Sequence, residues 1–203
     1  MAPSRVRSTT SPPTDLERIK DAGLDFPLFV KPGNGGSSYG VTRATDLPPL
    51  TAAIADAAML DPNVLVEREI VGRELDLDVL EFPDGRIEVA PALEIHPDPA
   101  QPFFNATAKY DSSATRFVIP APLEPELAER LRRTAVDAFE ALGCAGLARV
   151  DFFLPAEGEP VVNEINTFPG FTPASQFPRM WAAAGLSYVE VVDTLIRTAV
   201  ARG

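Results

Sequence analysis

Apolar positions recur along the chain with two periods, and the switches between them mark out its elements. Short runs rich in β-branched and aromatic residues predict strands: "FPLFVKP", "VTRA", "NVLVEREI", "TRFVIPA", and a hairpin of "ELDLDVLEF" with "GRIEVAPALEI" through Pro83-Asp84-Gly85. In that hairpin Leu75, Leu77 and Val79 fall on one side and Glu74, Asp76 and Asp78 on the other, which predicts a solvated face for Asp76 and Asp78. Helical spacing runs through "DLPPLTAAIADAAML", "EPELAERLRRTAVDAFEALG", "FPRMWAAAG" and "SYVEVVDTLIRTAVA", and more weakly through "DLERIKDAG". Leu127, Leu131, Ala135, Ala138 and Leu142 make the second of these amphipathic, with Gly143 to end it. Residues 1–14 are polar and proline-rich and predict a loosely packed lead-in. Residues 96–113 predict a long irregular stretch, the kind of loop that often serves as a lid.

One hairpin breaks the apolar pattern in an informative way. "ARVDFFL" and "PVVNEI" flank the polar cluster Ala156-Glu157-Gly158. With Glu157 and Gly158 as a two-residue turn, Asp151 faces Glu164 and Arg149 faces Asn166. Residues two apart share a face, so all four project from one side. Val150, Phe152 and Ile165 are left for the core, where Asn163 is the exception. Opposed carboxylates repel, so a positive group belongs between them. Two readings stand at this point. Arg149 bridges the acids on a solvated polar face, or Asp151, Glu164 and Asn166 offer an oxygen set suited to Mg²⁺ or Mn²⁺.

Composition narrows the classes without choosing among them. The 203 residues can fold as one large domain or two small lobes, and 45% hydrophobic with 23% charged residues is ordinary for a globular protein. A formal charge of −11 argues against nucleic acid or an anionic membrane as the main partner. Cys144 is the single cysteine and His96 the single histidine, so neither a disulfide framework nor a multi-histidine metal site exists. Cys144 is expected as a small buried filler and His96 as a loop residue. There is no signal-peptide pattern and no run of about 20 apolar residues, so the expectation is a cytoplasmic protein.

"FVKPGNGGSSYG" adds a second chemical feature. A strand delivers Lys31, and four glycines with two serines follow it. Glycines let backbone N–H groups approach an anion, and a lysine adds a point charge for phosphate. The lysine precedes the glycines, so this is neither a Walker loop nor a dinucleotide fingerprint. Alone, the loop is as well read as a plain hairpin turn. Together with a candidate cation cluster it points to a metal-nucleotide.

"FPLFVKPGNGGSSYGV", "NVLVEREIVGRELDLDVLE", "AKY", "LGCAGLARVDFFL" and "VVNEINTFPGFTPASQFPRMWAAAGLSY" together resemble the D-alanine–D-alanine ligases of the ATP-grasp fold. The resemblance implies an α+β fold of two αβ lobes whose antiparallel sheets clasp a nucleotide. Residues 1–23 would be a lead-in, 24–68 part of the central lobe, and 69–203 the C-terminal lobe. It implies an ATP-dependent ligase that joins two D-amino acids through an acyl phosphate for peptidoglycan synthesis. The cofactors implied are ATP and two Mg²⁺ or Mn²⁺ ions.

Residue by residue, the resemblance assigns Lys31 to the ATP phosphates and Gly36, Ser37 and Ser38 to the loop over them. Glu67, Arg68 and Ile70 lie where adenine is held, Glu74 takes the ribose hydroxyls, and Lys109 with Tyr110 lies near the γ-phosphate and substrate. Asp151, Glu164 and Asn166 are the metal ligands. Arg149 and the Gly170 N–H stabilise the oxyanion, and Ser175 binds the second substrate's carboxylate. Four departures stand out. The family's N-terminal domain of about a hundred residues is expected to be missing, and the first strand of the central lobe to be missing or replaced. The mobile loop reads "FFNATAKY", with Phe104, Asn105, Ala106 and Thr107 in place of the family's polar partners, and Gln176 stands where leucine is common. The partners expected are amino acids, with a homodimer or a separate subunit supplying the N-terminal domain. An ATP/Mg-binding module inactive alone is the alternative.

Overall fold

The computed structural model describes residues 4–7, 12–36, 38–96 and 115–203. These fall into two units, one ending at Ile70 and the other formed by Val71–His96 with Arg116–Gly203.

The first unit is built on a four-stranded antiparallel sheet in the order β1-β4-β2-β3. Its strands are β1 (Ser4–Arg7), β2 (Leu28–Pro32), β3 (Thr42–Ala44) and β4 (Asn63–Arg68). Helices α1 (Pro12–Asp21) and α2 (Leu47–Leu60) supply Ile19, Leu50 and Ala57 to a core shared with Leu28, Val30, Val64 and Val66. Prolines occupy the first turn of α2, where the missing N–H groups cost nothing. Alternation in β2 and β4 leaves Phe29, Lys31, Leu65 and Glu67 half-buried on the sheet's other face.

One expectation is corrected here. Residues 4–7 were expected in a loose lead-in, with the lobe's first strand missing or replaced there. Instead β1 pairs antiparallel with β4, Ser4 opposite Val66 and Arg7 opposite Asn63. An edge strand pairs on one side only and can be short, so a polar "SRVR" gives no strand pattern.

The second unit carries six antiparallel strands in the order β10-β9-β5-β7-β8, with β6 also on β5. They are β5 (Gly72–Glu81), β6 (Ile87–Val89), β7 (Leu93–His96), β8 (Arg116–Val118), β9 (Leu147–Pro155) and β10 (Val161–Asn166). The run expected as one strand from 85 to 95 is thus two strands, and His96, expected in a loop, ends β7. Helix α3 (Pro125–Ala141) lays Leu131, Ala135 and Phe139 on one sheet face against Leu75, Leu77, Val79, Val150 and Phe152. Cys144 packs against the same cluster, half-buried.

Helices α4 (Gln176–Ala183) and α5 (Tyr188–Arg202) pack together, and α4 also lies against β5. Trp181 and Phe177 are buried there, with Phe82 edge-on to Trp181 at 6.3 Å. A capping box of Ser187 and Glu190 starts α5. Arg202, near its end, ion-pairs with Glu81 at 2.6 Å.

The central position of β5 changes the reading of its polar face. Every residue from Leu75 to Leu80 is buried, on both faces. Asp76 and Asp78 retain 3% and 0% exposure, so the solvated face expected for them does not exist.

Candidate active site

In the first unit, Lys31 and Glu67 meet on the half-buried sheet face in an ion pair of 2.8 Å. Phe29 pairs with Glu67 across the strands, and Lys31 with Leu65. The glycine loop then leaves the end of β2. Gly33 donates to the Asn63 carbonyl at 2.6 Å, and a Cβ at Gly33 would stand 2.8 Å from that oxygen, so a side chain is excluded there. Within the loop, Tyr39 N–H donates to Gly36 O, and Ser38 takes a positive φ of 56°.

The loop is tied down by a residue the sequence reading did not single out. Asp61 follows α2 and is 5% exposed. Its carboxylate accepts from the Asn34 N–H at 2.7 Å and the Asn34 side chain at 2.6 Å. It also accepts from the Asn63 N–H at 2.7 Å and the Asn63 side chain at 3.2 Å. The hydrogen bond from the Asn63 backbone, more than offsetting burial, holds the carboxyl below its ordinary value, with the Asn34 bonds adding to it. Asn34 lies inside the glycine loop, so Asp61 pins the loop's first half to the end of α2. The sequence "DPN" shows only a turn; its partner is 27 positions away. Arg68 is exposed, and the neighbouring Glu69 takes a two-pronged ion pair from Arg43, at 2.8 and 2.9 Å.

In the second unit the candidate residues lie on one face of three adjacent strands. Glu164 stands opposite Asp151, and Asp151 opposite Asp76. One rung away, Asn166 stands opposite Arg149, and Arg149 opposite Asp78. Glu74 shares this face at the next alternate position of β5 and is half-buried. The expected pairings of the hairpin are therefore present.

The expected two-residue turn is not. The loop runs from Ala156 to Pro160, with Gly158 at φ +117°, and near it Val161 pairs with Phe153 and Val162 with Phe152. A register shift between Val162 and Glu164 then restores the pairing at Asp151. This bulge accounts for Asn163, the polar residue at a core position: an extra residue in one strand drops out of the alternation.

Arg149 organises the face. It donates to both oxygens of Asp151, at 2.6 and 2.8 Å, to Gln176 at 3.2 Å, and lies 3.4 Å from Asp76. Burial lowers its pKa, but Asp151, Asp76 and Asp78 outweigh this and hold it charged, well above its ordinary value. Gln176 therefore has a use: it orients the guanidinium from the start of α4. Among the described residues no three acids, histidines or cysteines form a ready-made metal cluster.

Asp78 is the anomaly. Neither of its oxygens has a hydrogen-bond partner among the described residues. Burial, then the neighbouring Asp76, push its pKa well above the ordinary range.

Following β10, Asn166 accepts from the Phe168 N–H at 3.1 Å, and Phe168 itself is fully exposed. Ser175 precedes α4; its hydroxyl accepts from the Thr172 N–H at 3.0 Å and contacts the Thr172 hydroxyl at 2.8 Å. A Cβ on Gly170 would lie 3.2 Å from that hydroxyl, so Gly170 and Ser175 are neighbours. Tyr188 clamps this loop by donating to Phe171 O at 3.1 Å. Ser37, Lys109 and Tyr110 lie outside the described residues.

The family model described as D-ala D-ala ligase C-terminus matches residues 5–197. The chain belongs to the D-alanine–D-alanine ligase family. It is 50% identical over 200 residues to the D-alanine–D-alanine ligase of Nocardia farcinica, covering 98% of this chain and 54% of that protein. Among solved structures, the VanG D-Ala:D-Ser ligase of Enterococcus faecalis superimposes with a TM-score of 0.83 at 36% identity, covering 97% of this chain and 56% of that one. The D-alanine–D-alanine ligase of Bacillus anthracis, complexed with ATP, gives 0.77 at 30% identity, covering 98% and 61%. The fold is accordingly ATP-grasp. The chain spans about half the length of the curated relatives it matches. No helix among the described residues is long and apolar enough to cross a membrane.

Proposed function

We propose that this chain carries the nucleotide- and metal-handling residues of an ATP-dependent carboxylate–amine ligase, joining two D-amino acids of D-alanine type through an acyl phosphate. Its place would be in the supply of peptidoglycan precursors. The observation that carries this reading is the row Glu164–Asp151–Asp76 beside Asn166–Arg149–Asp78 on one sheet face, in a chain of this family.

The donor set fits a hard divalent ion. Glu164, Asp151, Asp76 and Asp78 on that face outnumber the one guanidinium among them, and Asn166 adds a neutral oxygen. Asp151, Glu164 and Asn166 would hold Mg²⁺ or Mn²⁺. Such ions screen the triphosphate and stabilise charge as the phosphoryl group moves. Lys31 contributes a point charge for the phosphates, and Gly36 and Ser38 bring backbone N–H groups to them. Glu67, Arg68 and Ile70 border the base, and Glu74 accepts from the ribose hydroxyls. Arg149 and the Gly170 N–H hold the developing oxyanion. Ser175 takes the carboxylate of the second amino acid. Ser37, Lys109 and Tyr110 are assigned by resemblance alone.

The test is phosphate release from ATP with D-alanine, with Asp151→Asn and Glu164→Gln as controls. Release that depends on both acids supports the reading. A folded protein that neither binds ATP·Mg²⁺ nor releases phosphate overturns it. Because the chain matches about half of each relative, a third outcome is informative. Nucleotide binding with turnover only after a second polypeptide is added would identify a module that needs a partner for substrate.

A further inference from the structure

A buried carboxylate without a hydrogen-bond partner costs stability, and such groups persist where function uses them. Asp78 is such a group: 0% exposed, both oxygens unpartnered among the described residues, in the middle of the central strand. It lies directly across the strand pair from Arg149, on the same face, and the two interact electrostatically. Side chains at opposed positions of an antiparallel pair are within reach of one another. Arg149, however, spends its paired donors on Asp151, two residues along its own strand.

We infer that Asp78 is the second seat for the Arg149 guanidinium, which moves from Asp151 towards Asp78 when the Asp151 oxygens turn to a divalent cation. A cation that draws on the Asp151 oxygens competes with Arg149 for them, since each already accepts a guanidinium N–H and the two cations repel. Releasing Arg149 with nowhere to go would strand a charge that is only 11% exposed. Asp78 and Asp76 receive it on the side away from Glu164, because Asp76 and Asp78 belong to β5 and Glu164 to β10, on opposite sides of β9. Gln176 accepts from the guanidinium at its other edge and keeps its plane oriented during the move. Asp78 is thus a positioning residue, acting through Arg149. The inference rests on the metal role given to Asp151 above, and two arms separate its failure from the failure of that role.

The first arm needs no metal. Thermal melts of the full chain compare wild type, Asp78→Asn, Asp151→Asn and the double variant. Removing Asp78 should raise or leave unchanged the Tm of the wild type, because an unpartnered buried carboxyl is lost. In the Asp151→Asn background, where Arg149 already leans on Asp78, the same change should lower the Tm. Asp78→Ala, which places no amide in the site, should show the same reversal of sign. A loss of Tm in both backgrounds makes Asp78 an ordinary structural acid and overturns the inference.

The second arm is Mn²⁺ binding, with and without ATP, followed by electron paramagnetic resonance. Asp78→Asn should weaken binding about tenfold, the loss of one charge-assisted contact, while keeping its Tm. Wild-type affinity in Asp78→Asn overturns the inference and leaves the metal site standing. Absence of Mn²⁺ binding in the wild type removes the metal role itself, and the inference with it.

Discussion

Two buried aspartates, one in each unit, show how differently a fold can treat the same side chain. Asp61 in the first unit accepts four hydrogen bonds, and its pKa is lowered. Asp78 in the second accepts none among the described residues, and its pKa is raised. Asp61 cements a loop to a helix end and a strand. Asp78 belongs to a row of like charges gathered around one guanidinium. The contrast separates rigid scaffolding for a glycine-rich loop from an electrostatically loaded face that costs stability.

The comparison can be broken most severely at Arg149. Arg149→Ala removes the guanidinium that Asp76, Asp78 and Asp151 gather around, and metal-free protein should lose about 3–5 kcal/mol in denaturant melts. A loss under ~1 kcal/mol would mean that the acids find other partners. Next in size are the acids themselves. Asp151→Asn and Glu164→Gln should each lower phosphate release by about a hundredfold or more, with melts near those of the wild type for Glu164→Gln, whose side chain is exposed.

On the other side of the comparison, Asn34→Ala removes the side-chain bond from the glycine loop to Asp61 but leaves the Asn34 backbone N–H and the Asn63 contacts. Calorimetry should find ATP bound up to about tenfold more weakly, the loss of one hydrogen bond to a charged acceptor, with little change in melting. Unchanged affinity would show that the loop does not need this side-chain anchor. The smallest effect sharpens the contrast through pH. A carboxyl with a lowered folded pKa stabilises fully above its ordinary, unfolded value and loses that contribution as pH falls through the folded one. Asp61 follows this course, so Asp61→Asn should flatten the acid limb of the stability curve. Asp78, with a raised folded pKa, has the opposite sign: it weakens the fold as pH rises above its unfolded value.

How much of this was legible in the sequence follows from what alternation can express. The strand pair of the acidic hairpin could be read because residues two apart share a face, and the pairing of Asp151 with Glu164 is as expected. It was reached through a turn that is wrong: a longer loop and a bulge at Asn163 compensate each other, and both are invisible to a count of residues. Asp76 and Asp78 were misread for a different reason. Alternation separates two faces but cannot say whether the polar one meets water or a second layer, and here α4 lies against β5. Strand β1 carries too few apolar residues to announce itself and is defined by β4 beside it. The anchor at Asp61 depends on Asn34, far away along the chain, and no local motif encodes it.

The central claim is that the acid row of β9 and β10 holds divalent cation for a nucleotide. Titration of Mn²⁺ into wild-type protein with saturating ATP, beside Asp151→Asn and Glu164→Gln, tests it most directly. Saturable binding in the wild type, lost or sharply weakened in both variants, is the predicted result. Equal binding in all three, or none in a folded wild type, would contradict it.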